Sequence, residues 1–283
     1  MPAPIIIAAP AKINLYLHIL GKRPDNYHLL ESLVVFANVA DSLQITPVED
    51  FGLEIKGPFA GGVDIQNNSV RKAWELLQKY SGQPLGAKII LTKNLPVGAG
   101  IGGGSSDAAA ALIGLNEMWD LNLPIEELQK IGLLIGADVP VCLVREASYI
   151  TGIGEKIRKA DMPPLYILLV NPLIYLSTAQ IFSAGFKKFS APATAGDFKS
   201  PAEVIEFLHA TTNDLQENAI KTAPEIAEVL SLISEQTGCQ ISRMSGSGAT
   251  CFGIFTDDAE MRMAALAISE KKKSWWVKPA SFF

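Results

Sequence analysis

A glycine-rich stretch that leads into a helix most constrains what this 283-residue chain can fold into. It reads Pro-Val-Gly-Ala-Gly-Ile-Gly-Gly-Gly-Ser-Ser-Asp over residues 96–107. Five glycines in seven residues give a backbone that adopts positive φ and approaches a ligand closely. Ser105, Ser106 and Asp107 are good helix caps, so we expect a helix over 108–118. Its unpaired N–H groups and its dipole favour an anion, and the stretch predicts a phosphate-binding loop.

The stretch differs from three familiar nucleotide-binding loops. A P-loop needs Lys-Ser/Thr after its last glycine, and here two serines follow instead. Gly98, Gly100 and Gly103 match the dinucleotide spacing, but residues 92–96 separate the loop from the apolar run 89–91, whereas a dinucleotide-binding strand leads almost directly into its first glycine. Neither H-R-D nor D-F-G follows the loop, which argues against a protein kinase. A flexible surface loop is the remaining alternative, and the helix behind the loop argues against it.

Composition excludes several classes of partner. Hydrophobic residues make up 48% of the chain and charged residues 19%, which is typical of a soluble globular protein with one large or two medium domains. The net charge of −5 provides no basic surface for nucleic acid or for an anionic membrane. An anionic substrate must therefore be held by local groups.

The cysteines and the amino terminus indicate a cytoplasmic protein. Cys142, Cys239 and Cys251 are far apart and form no ligand-spaced pair, so we expect free thiols in a reducing compartment and no structural zinc. The amino terminus lacks the basic region of a signal peptide. No apolar run approaches the roughly 20 residues of a membrane span.

Residues 11–19 alternate strictly between apolar and polar side chains and predict a half-buried strand. Lys12 and Asn14 then share one face, about 6.6 Å apart along the strand. A solvated polar face is the alternative interpretation of these two residues.

Asp138 is the only charged residue between Lys130 and Arg145, and it follows a predicted helix over 125–135. We expect it to be partly buried, where a carboxylate is costly without a partner. It could cap a backbone turn, whereas a nearby Lys12 would favour a functional role.

The rest of the chain predicts alternating helices and strands. We expect a helix over about 70–80, a buried strand over 165–170, an exposed or mobile loop over 183–202, a capping box at 213–216, a helix over 223–236, and strands over 240–244 and 250–255. The small-residue segment 245–249 between the last two strands either cradles a phosphate or allows tight packing.

Three segments together resemble the motifs of the GHMP small-molecule kinases: Pro10–Leu15, Pro96–Asp107 and Ser245–Ala249. Residues 25–28, 136–140, 213–215 and 277–280 further resemble the members whose acceptor is a cytidine diphosphate ester of methylerythritol. The resemblance covers nearly the whole chain and is least informative over 47–66 and 183–205. Asn26 stands where these members usually have glycine, and asparagine tolerates positive φ better than most residues.

The resemblance implies an α+β, two-domain fold. Residues 1–157 would form an N-terminal ATP-binding domain like domain 2 of ribosomal protein S5, and residues 158–283 an α/β C-terminal domain, with ATP and substrate in the cleft between them. It also implies ATP and Mg²⁺ as cofactors, a small-molecule substrate, and a monomer or weak homodimer.

The resemblance also implies roles for individual residues. Asp138 would be the general base for the 2-hydroxyl of the substrate, and Lys12 would keep Asp138 ionised and stabilise charge. The residues expected to wrap the ATP phosphates are Pro96, Val97, Gly98, Ala99, Gly100, Ile101, Gly102, Gly103, Gly104, Ser105 and Ser106, with Ser105 near Mg²⁺. Tyr27, His28 and Phe182 would contact the cytosine, and Asn14 and Thr178 would position the erythritol or diphosphate.

Three other functions compete with this one. A GHMP kinase for homoserine or mevalonate needs no cytosine-stacking aromatics, and Tyr27 and His28 argue against it. A nucleotide-sensing binding protein would not need both Lys12 and Asp138. A dinucleotide oxidoreductase requires a different join between strand and loop.

Overall fold

The computed structural model describes residues 3–25, 27–193 and 196–282, so Asn26 lies outside the described residues. The chain divides into two compact units. The first takes in the chain up to Ala11, Val39–Val97 and Gly102–Arg145, and the second takes in Lys12–Asn38, Gly98–Ile101 and the chain from Glu146 onward. These units divide the chain differently from the predicted boundary at 157/158, which stays a prediction.

Two long strands begin the fold, and each contributes residues to both units. Strand β1 covers Ile5–Lys22 and pairs with strand β2, His28–Pro47. The predicted strand over 11–19 is confirmed, but the prediction that it is half-buried is wrong, because every residue from 11 to 19 is buried. The polar side chains of Asn14, Tyr16 and His18 bond to other parts of the second unit. The Tyr16 hydroxyl, for example, donates to Glu31 at 2.9 Å.

The first unit combines sheet and helices. Strand β4 lies between the carboxyl-terminal part of β2, to which it is antiparallel, and strand β3, to which it is parallel. The elements of this unit after β2 are β3 (Gly52–Lys56), a 3-10 turn (Ala60–Gly62), α1 (Ser69–Ser81), β4 (Ala87–Thr92), α2 (Gly103–Met118), α3 (Ile125–Ile135) and α4 (Val139–Val144). A Cβ on Gly114 of α2 would lie 2.5 Å from Ile45 and 2.9 Å from Ile7. The missing side chain therefore lets α2 pack closely on the two long strands.

Helix α2 begins earlier than its sequence predicts. Gly102 occupies the N-cap position with a φ of 63°, and Gly103 is the first helical residue. The predicted start at 108, with Ser105, Ser106 or Asp107 as cap, is therefore wrong. The Ser106 hydroxyl instead donates to the Pro10 carbonyl at 2.7 Å, so it holds the helix to β1 rather than capping it.

The described part of the second unit contains two sets of paired strands and five helices. The amino-terminal part of β2 pairs with β5, which pairs with β6, and a separate antiparallel sheet has the order β10-β7-β9-β8. The elements are β5 (Ser148–Gly152), β6 (Lys156–Lys159), β7 (Tyr166–Asn171), α5 (Thr178–Ser183), α6 (Pro201–His209), α7 (Gln216–Thr222), α8 (Glu225–Ser234), β8 (Ile241–Met244), β9 (Cys251–Phe255), α9 (Asp258–Lys271) and β10 (Trp276–Ser281). Helices α8 and α9 pack on the four-stranded sheet and bury its apolar face. Both units mix helices with largely antiparallel strands, which confirms the α+β class.

The described part of 183–202 is mostly exposed and includes no buried residue, as predicted. Two bonds anchor it, from the Ala193 N–H to Glu31 at 2.7 Å and from the Ser190 N–H to the Ile19 carbonyl at 2.9 Å. Segment 213–216 is not a capping box, since α7 has no side-chain cap. The Asn213 amide instead donates to the carbonyl oxygens of Met244 and Gly246. Both segments form hydrogen bonds with residues of the second unit that are distant in the sequence.

The described residues contain no helix long and apolar enough to cross a membrane. The three cysteines form no disulfide; Cys142 and Cys251 are buried, and Cys239 is partly buried.

Candidate active site

The glycine-rich loop alternates between left-handed and ordinary backbone. Gly98, Gly100 and Gly102 have φ values of 64°, 73° and 63°, a region that side chains with a Cβ rarely adopt. Gly100 also lacks room for a side chain, because its Cβ would lie 2.5 Å from the Ser245 carbonyl oxygen and 2.7 Å from the Gly248 nitrogen. Three glycines are therefore required by the conformation, and Gly100 also by close packing against backbone atoms.

Within the second unit, one serine joins three segments that are far apart in the sequence. The Ser245 hydroxyl accepts from the Asn14 N–H at 3.1 Å and donates to the Gly100 carbonyl at 3.0 Å. The Lys12 N–H donates to the Ile101 carbonyl at 2.9 Å, and the Thr250 N–H donates to the Ala99 carbonyl at 3.1 Å. Segment 245–249 therefore packs tightly against the glycine-rich loop, as one of its two alternatives predicts, and the phosphate-cradling alternative stays a prediction.

The start of α2, in the first unit, offers backbone donors. The N–H of Ser106 makes the first helical bond, to the Gly102 carbonyl at 2.8 Å. The N–H groups of Gly103, Gly104 and Ser105 precede that bond and have no partner within the helix. Such groups, at the positive end of the helix dipole, suit a phosphate. The Ser105 side chain is half-exposed, whereas Ser106 is buried.

The two predicted catalytic residues belong to different units. Lys12 lies on β1 in the second unit, and only 4% of its surface is exposed. Asp138 lies in the first unit, is partly buried and immediately precedes α4. Its side chain makes no capping hydrogen bond to that helix, so capping of α4 does not account for it.

Aromatic rings gather in the second unit beside the start of β2. The His28 ring lies 5.4 Å from that of Phe182 and 5.1 Å from that of Phe186, measured between centroids. Partial burial, with the positive charge of Lys22, lowers the pKa of His28 and so favours the neutral ring. Tyr27 is 57% exposed. Sequence reasoning missed Phe186, although its spacing of four residues from Phe182 is a signal that could have found it.

The remaining predicted substrate residues also lie in the second unit. The Asn14 amide donates to the Ser32 hydroxyl at 2.8 Å, which fixes the orientation of that side chain. The hydroxyls of Thr178 and Ser247 are 2.8 Å apart at the start of α5. The structure therefore brings Asn14 and Thr178 to the segment 245–249 from two sides.

A buried ionic cluster next to the loop, which sequence reasoning missed, lies in the first unit. The Lys93 ammonium donates to Asp41 and, at 2.7 Å, to Asp107. Each of these three residues is less than 5% exposed. The only sequence signal is that a lysine and an aspartate flank the glycine-rich stretch within apolar surroundings.

Comparison with known proteins identifies the family. The family model for the GHMP kinases N terminal domain matches residues 68–146, and that for GHMP kinases C terminal matches residues 187–273. A 4-diphosphocytidyl-2-C-methyl-D-erythritol kinase from Paramagnetospirillum magneticum is 48% identical over 277 residues, which cover 97% of each chain.

Solved structures agree in fold. A 4-(cytidine 5'-diphospho)-2C-methyl-D-erythritol kinase superposes with a TM-score of 0.79 at 31% identity, covering 98% of this chain and 99% of the other. A homoserine kinase from Cytophaga hutchinsonii superposes with a TM-score of 0.76 at only 17% identity, covering 100% of this chain and 96% of the other, and so shares the fold alone. The predicted two-domain GHMP kinase fold is thereby confirmed. The chain belongs to the GHMP kinases, a family of phosphotransferases, and within them to the group of its 4-diphosphocytidyl-2-C-methyl-D-erythritol kinase relatives.

Proposed function

We propose that this chain transfers the γ-phosphoryl group of ATP to the 2-hydroxyl of 4-diphosphocytidyl-2-C-methyl-D-erythritol, in the non-mevalonate route to isoprenoid precursors. The observation that carries the choice of acceptor is the His28 ring beside Phe182, with exposed Tyr27 next to it in the sequence. Flat rings suit a cytosine base, which stacks on aromatic faces. A small polyol or amino acid acceptor gains nothing from such a surface.

The reaction needs a base and a cation, and we assign these roles to Asp138 and Lys12. Asp138 takes the proton of the 2-hydroxyl, and the oxygen bonds to the γ-phosphorus. The bond from that phosphorus to its bridging oxygen breaks, and ADP leaves. Lys12 stabilises the negative charge that spreads over the transferred group. Its low exposure supports this role, because little water screens the charge.

We place the ATP phosphates at the glycine-rich loop, residues 96–106. The donors that support this placement are the N–H groups of Gly103, Gly104 and Ser105 at the start of α2. The left-handed glycines before them keep the backbone free of side chains that would block a close approach.

Mg²⁺ fits this arrangement without a dedicated protein cage. The described residues hold no cluster of three His, Cys, Asp or Glu side chains placed for a metal. Mg²⁺ usually keeps several waters and is held mainly through substrate phosphates. We place it near the half-exposed Ser105 hydroxyl, where it would neutralise charge on the β- and γ-phosphates.

Substrate positioning falls to residues of the second unit. Tyr27, His28 and Phe182 contact the cytosine, and Asn14 and Thr178 orient the erythritol or diphosphate. The hydrogen bond of Asn14 to Ser32 and the contact of Thr178 with Ser247 support this role, since a side chain that is already fixed loses little freedom on binding. A cytoplasmic location and a monomeric or weakly dimeric state stay predictions, the latter checked by sedimentation.

An acceptor panel tests the function. We expect ADP release with the cytidine diphosphate substrate to exceed that with its uridine analogue, homoserine or mevalonate by at least about tenfold in kcat/KM. Equal or faster turnover of homoserine or mevalonate would favour the other GHMP kinases instead. ATP binding without turnover of any acceptor would favour a nucleotide-sensing protein.

A further inference from the structure

The cluster of Asp41, Lys93 and Asp107 connects three elements of the first unit. Asp41 belongs to β2, Lys93 directly follows β4, and Asp107 belongs to α2. The second oxygen of Asp41 accepts from the N–H groups of Asn94 and Leu95, at 2.5 and 2.8 Å. Lys93 is thus bound through its ammonium to a carboxylate that also fixes the two residues following it.

The backbone of Lys93 is held as firmly as its side chain. Its N–H donates to the Lys56 carbonyl at 2.8 Å, and its carbonyl accepts from the Phe59 N–H at 3.2 Å. The ammonium lies directly under the start of α2, because a Cβ on Gly103 would be 3.5 Å from Lys93 Nζ. A fixed positive group therefore contacts α2 at its first residue and again at Asp107.

Burying this cluster costs folding free energy. Two carboxylates share one ammonium, and Asp107 Oδ1 is buried with no hydrogen-bond partner. Burial raises the pKa of Asp107 to about 7, with Lys93 opposing the shift and Asp41 adding to it. Replacing a buried ion pair by apolar residues of similar volume often leaves the stability of a protein unchanged or increases it. The cost is explained if the cluster fixes the position of α2.

We propose that Asp107 is a positioning residue which, through Lys93, fixes the start of α2 so that its free N–H groups are aligned for the ATP phosphates. The alignment is a property of the folded chain itself. Its consequence for nucleotide affinity rests on the proposed function. Asp107 does not touch the nucleotide in this account and acts through the helix alone.

Two substitutions separate positioning from bulk stability. Asp107→Ala removes the acceptor for Lys93, whereas Asp107→Asn keeps an oxygen there and removes only the charge. Asp50→Ala removes an exposed aspartate from the same unit and serves as the control. Melting temperatures report whether each variant is folded.

The first readout is amide exchange of Ser106 without nucleotide, since its N–H makes the first bond of α2. We expect faster exchange in Asp107→Ala, and exchange near the wild-type rate in Asp107→Asn and Asp50→Ala. Unchanged exchange in folded Asp107→Ala would overturn the proposal, whatever happens to ATP binding.

The second readout is ATP affinity by calorimetry, with KM and kcat measured beside it. We expect Asp107→Ala to bind ATP about tenfold more weakly, with the KM for the alcohol substrate nearly unchanged, and Asp107→Asn to restore affinity to within about threefold. Faster exchange of Ser106 with unaltered ATP affinity would support the positioning of α2 by Asp107 but contradict the proposed phosphate site. If Asp107→Asn loses as much ATP affinity as Asp107→Ala does, the proposal that Asp107 acts through its hydrogen bond with Lys93 is overturned.

Discussion

The N–H of Asn14 donates to the hydroxyl of Ser245, 231 residues away in sequence, at 3.1 Å. The same hydroxyl donates to the Gly100 carbonyl. One buried serine therefore joins all three motifs that identify the family. The three segments are thus held together within the second unit by one side chain.

Ser245→Ala should destabilise the fold by on the order of 1–3 kcal/mol, since it leaves the Asn14 N–H and the Gly100 carbonyl without this partner in a buried site. Urea unfolding measures the change. Ser234→Ala, which removes an exposed hydroxyl, is the matched control. A loss no larger than that of the control would mean that the three motifs are held together by other contacts.

Gly100→Ala should raise the KM for ATP by at least about tenfold, because its Cβ would overlap the Ser245 carbonyl and its φ is positive. Steady-state kinetics at saturating acceptor measure the effect. Gly61→Ala is the control, since no atom lies within 4 Å of the added Cβ. An unaltered KM for ATP in Gly100→Ala would show that the loop conformation does not govern nucleotide binding.

Asp138→Asn should lower kcat by roughly 10²–10⁴-fold while ATP binding persists, as expected for loss of a general base. Lys12→Ala should be comparably severe. The double variant should be little worse than the more severe single one, because groups that act as a unit are not additive. Turnover of Asp138→Asn within threefold of wild type would rule out the assignment, and additive losses would show that the two residues act independently.

Phe182→Ala should weaken binding of the cytidine substrate by roughly 5- to 150-fold, the equivalent of about 1–3 kcal/mol for one stacking partner. ATP affinity should be nearly unchanged, and Tyr27→Ala should behave similarly. Phe198→Ala disrupts a different aromatic pair of the second unit and controls for lost packing. If these variants lose thermal stability and weaken both ligands alike, the rings are packing residues.

The unfolding free energy should depend on pH through Asp107. Its folded-state pKa of about 7 lies above the ordinary 3.8, chiefly because of burial. The stabilising contribution of the protonated group is thus complete below about pH 4 and is lost as pH rises through 7. Wild type should therefore lose stability relative to Asp107→Asn between pH 4 and 7.5, as measured by urea unfolding. Parallel curves for the two proteins would contradict this.

Local sequence patterns predict helices and strands well, but they do not predict which groups pack against them. Alternation over 11–19 identifies β1, because side chains on a strand face opposite sides. It cannot reveal that the polar side is buried, since the covering groups come from β2 and from residues 190–193. The start of α2 is missed for a similar reason. Serine and aspartate favour a cap locally, but Gly102 occupies the N-cap position with a positive φ, and the Ser106 hydroxyl bonds to Pro10 instead.

Some residues of the candidate site can be proposed from the sequence, and others cannot. The glycine-rich loop is proposed from its own sequence, and Lys12 and Asp138 from the resemblance to the family, and the roles of all of them stay predictions. The ionic cluster cannot be proposed from the sequence, because Asp41 lies 52 residues from Lys93 and has no local pattern that links them. Contacts between distant segments are set by the topology of the sheet.

The position of the phosphate in the product shows whether the chain phosphorylates the 2-hydroxyl. The wild-type chain is mixed with ATP, Mg²⁺ and 4-diphosphocytidyl-2-C-methyl-D-erythritol, and the products are followed by ³¹P NMR. We expect one new phosphomonoester at the 2-position for each ADP formed, and none with Asp138→Asn on the same time scale. ADP without an ester, or an ester at another hydroxyl, would contradict this expectation.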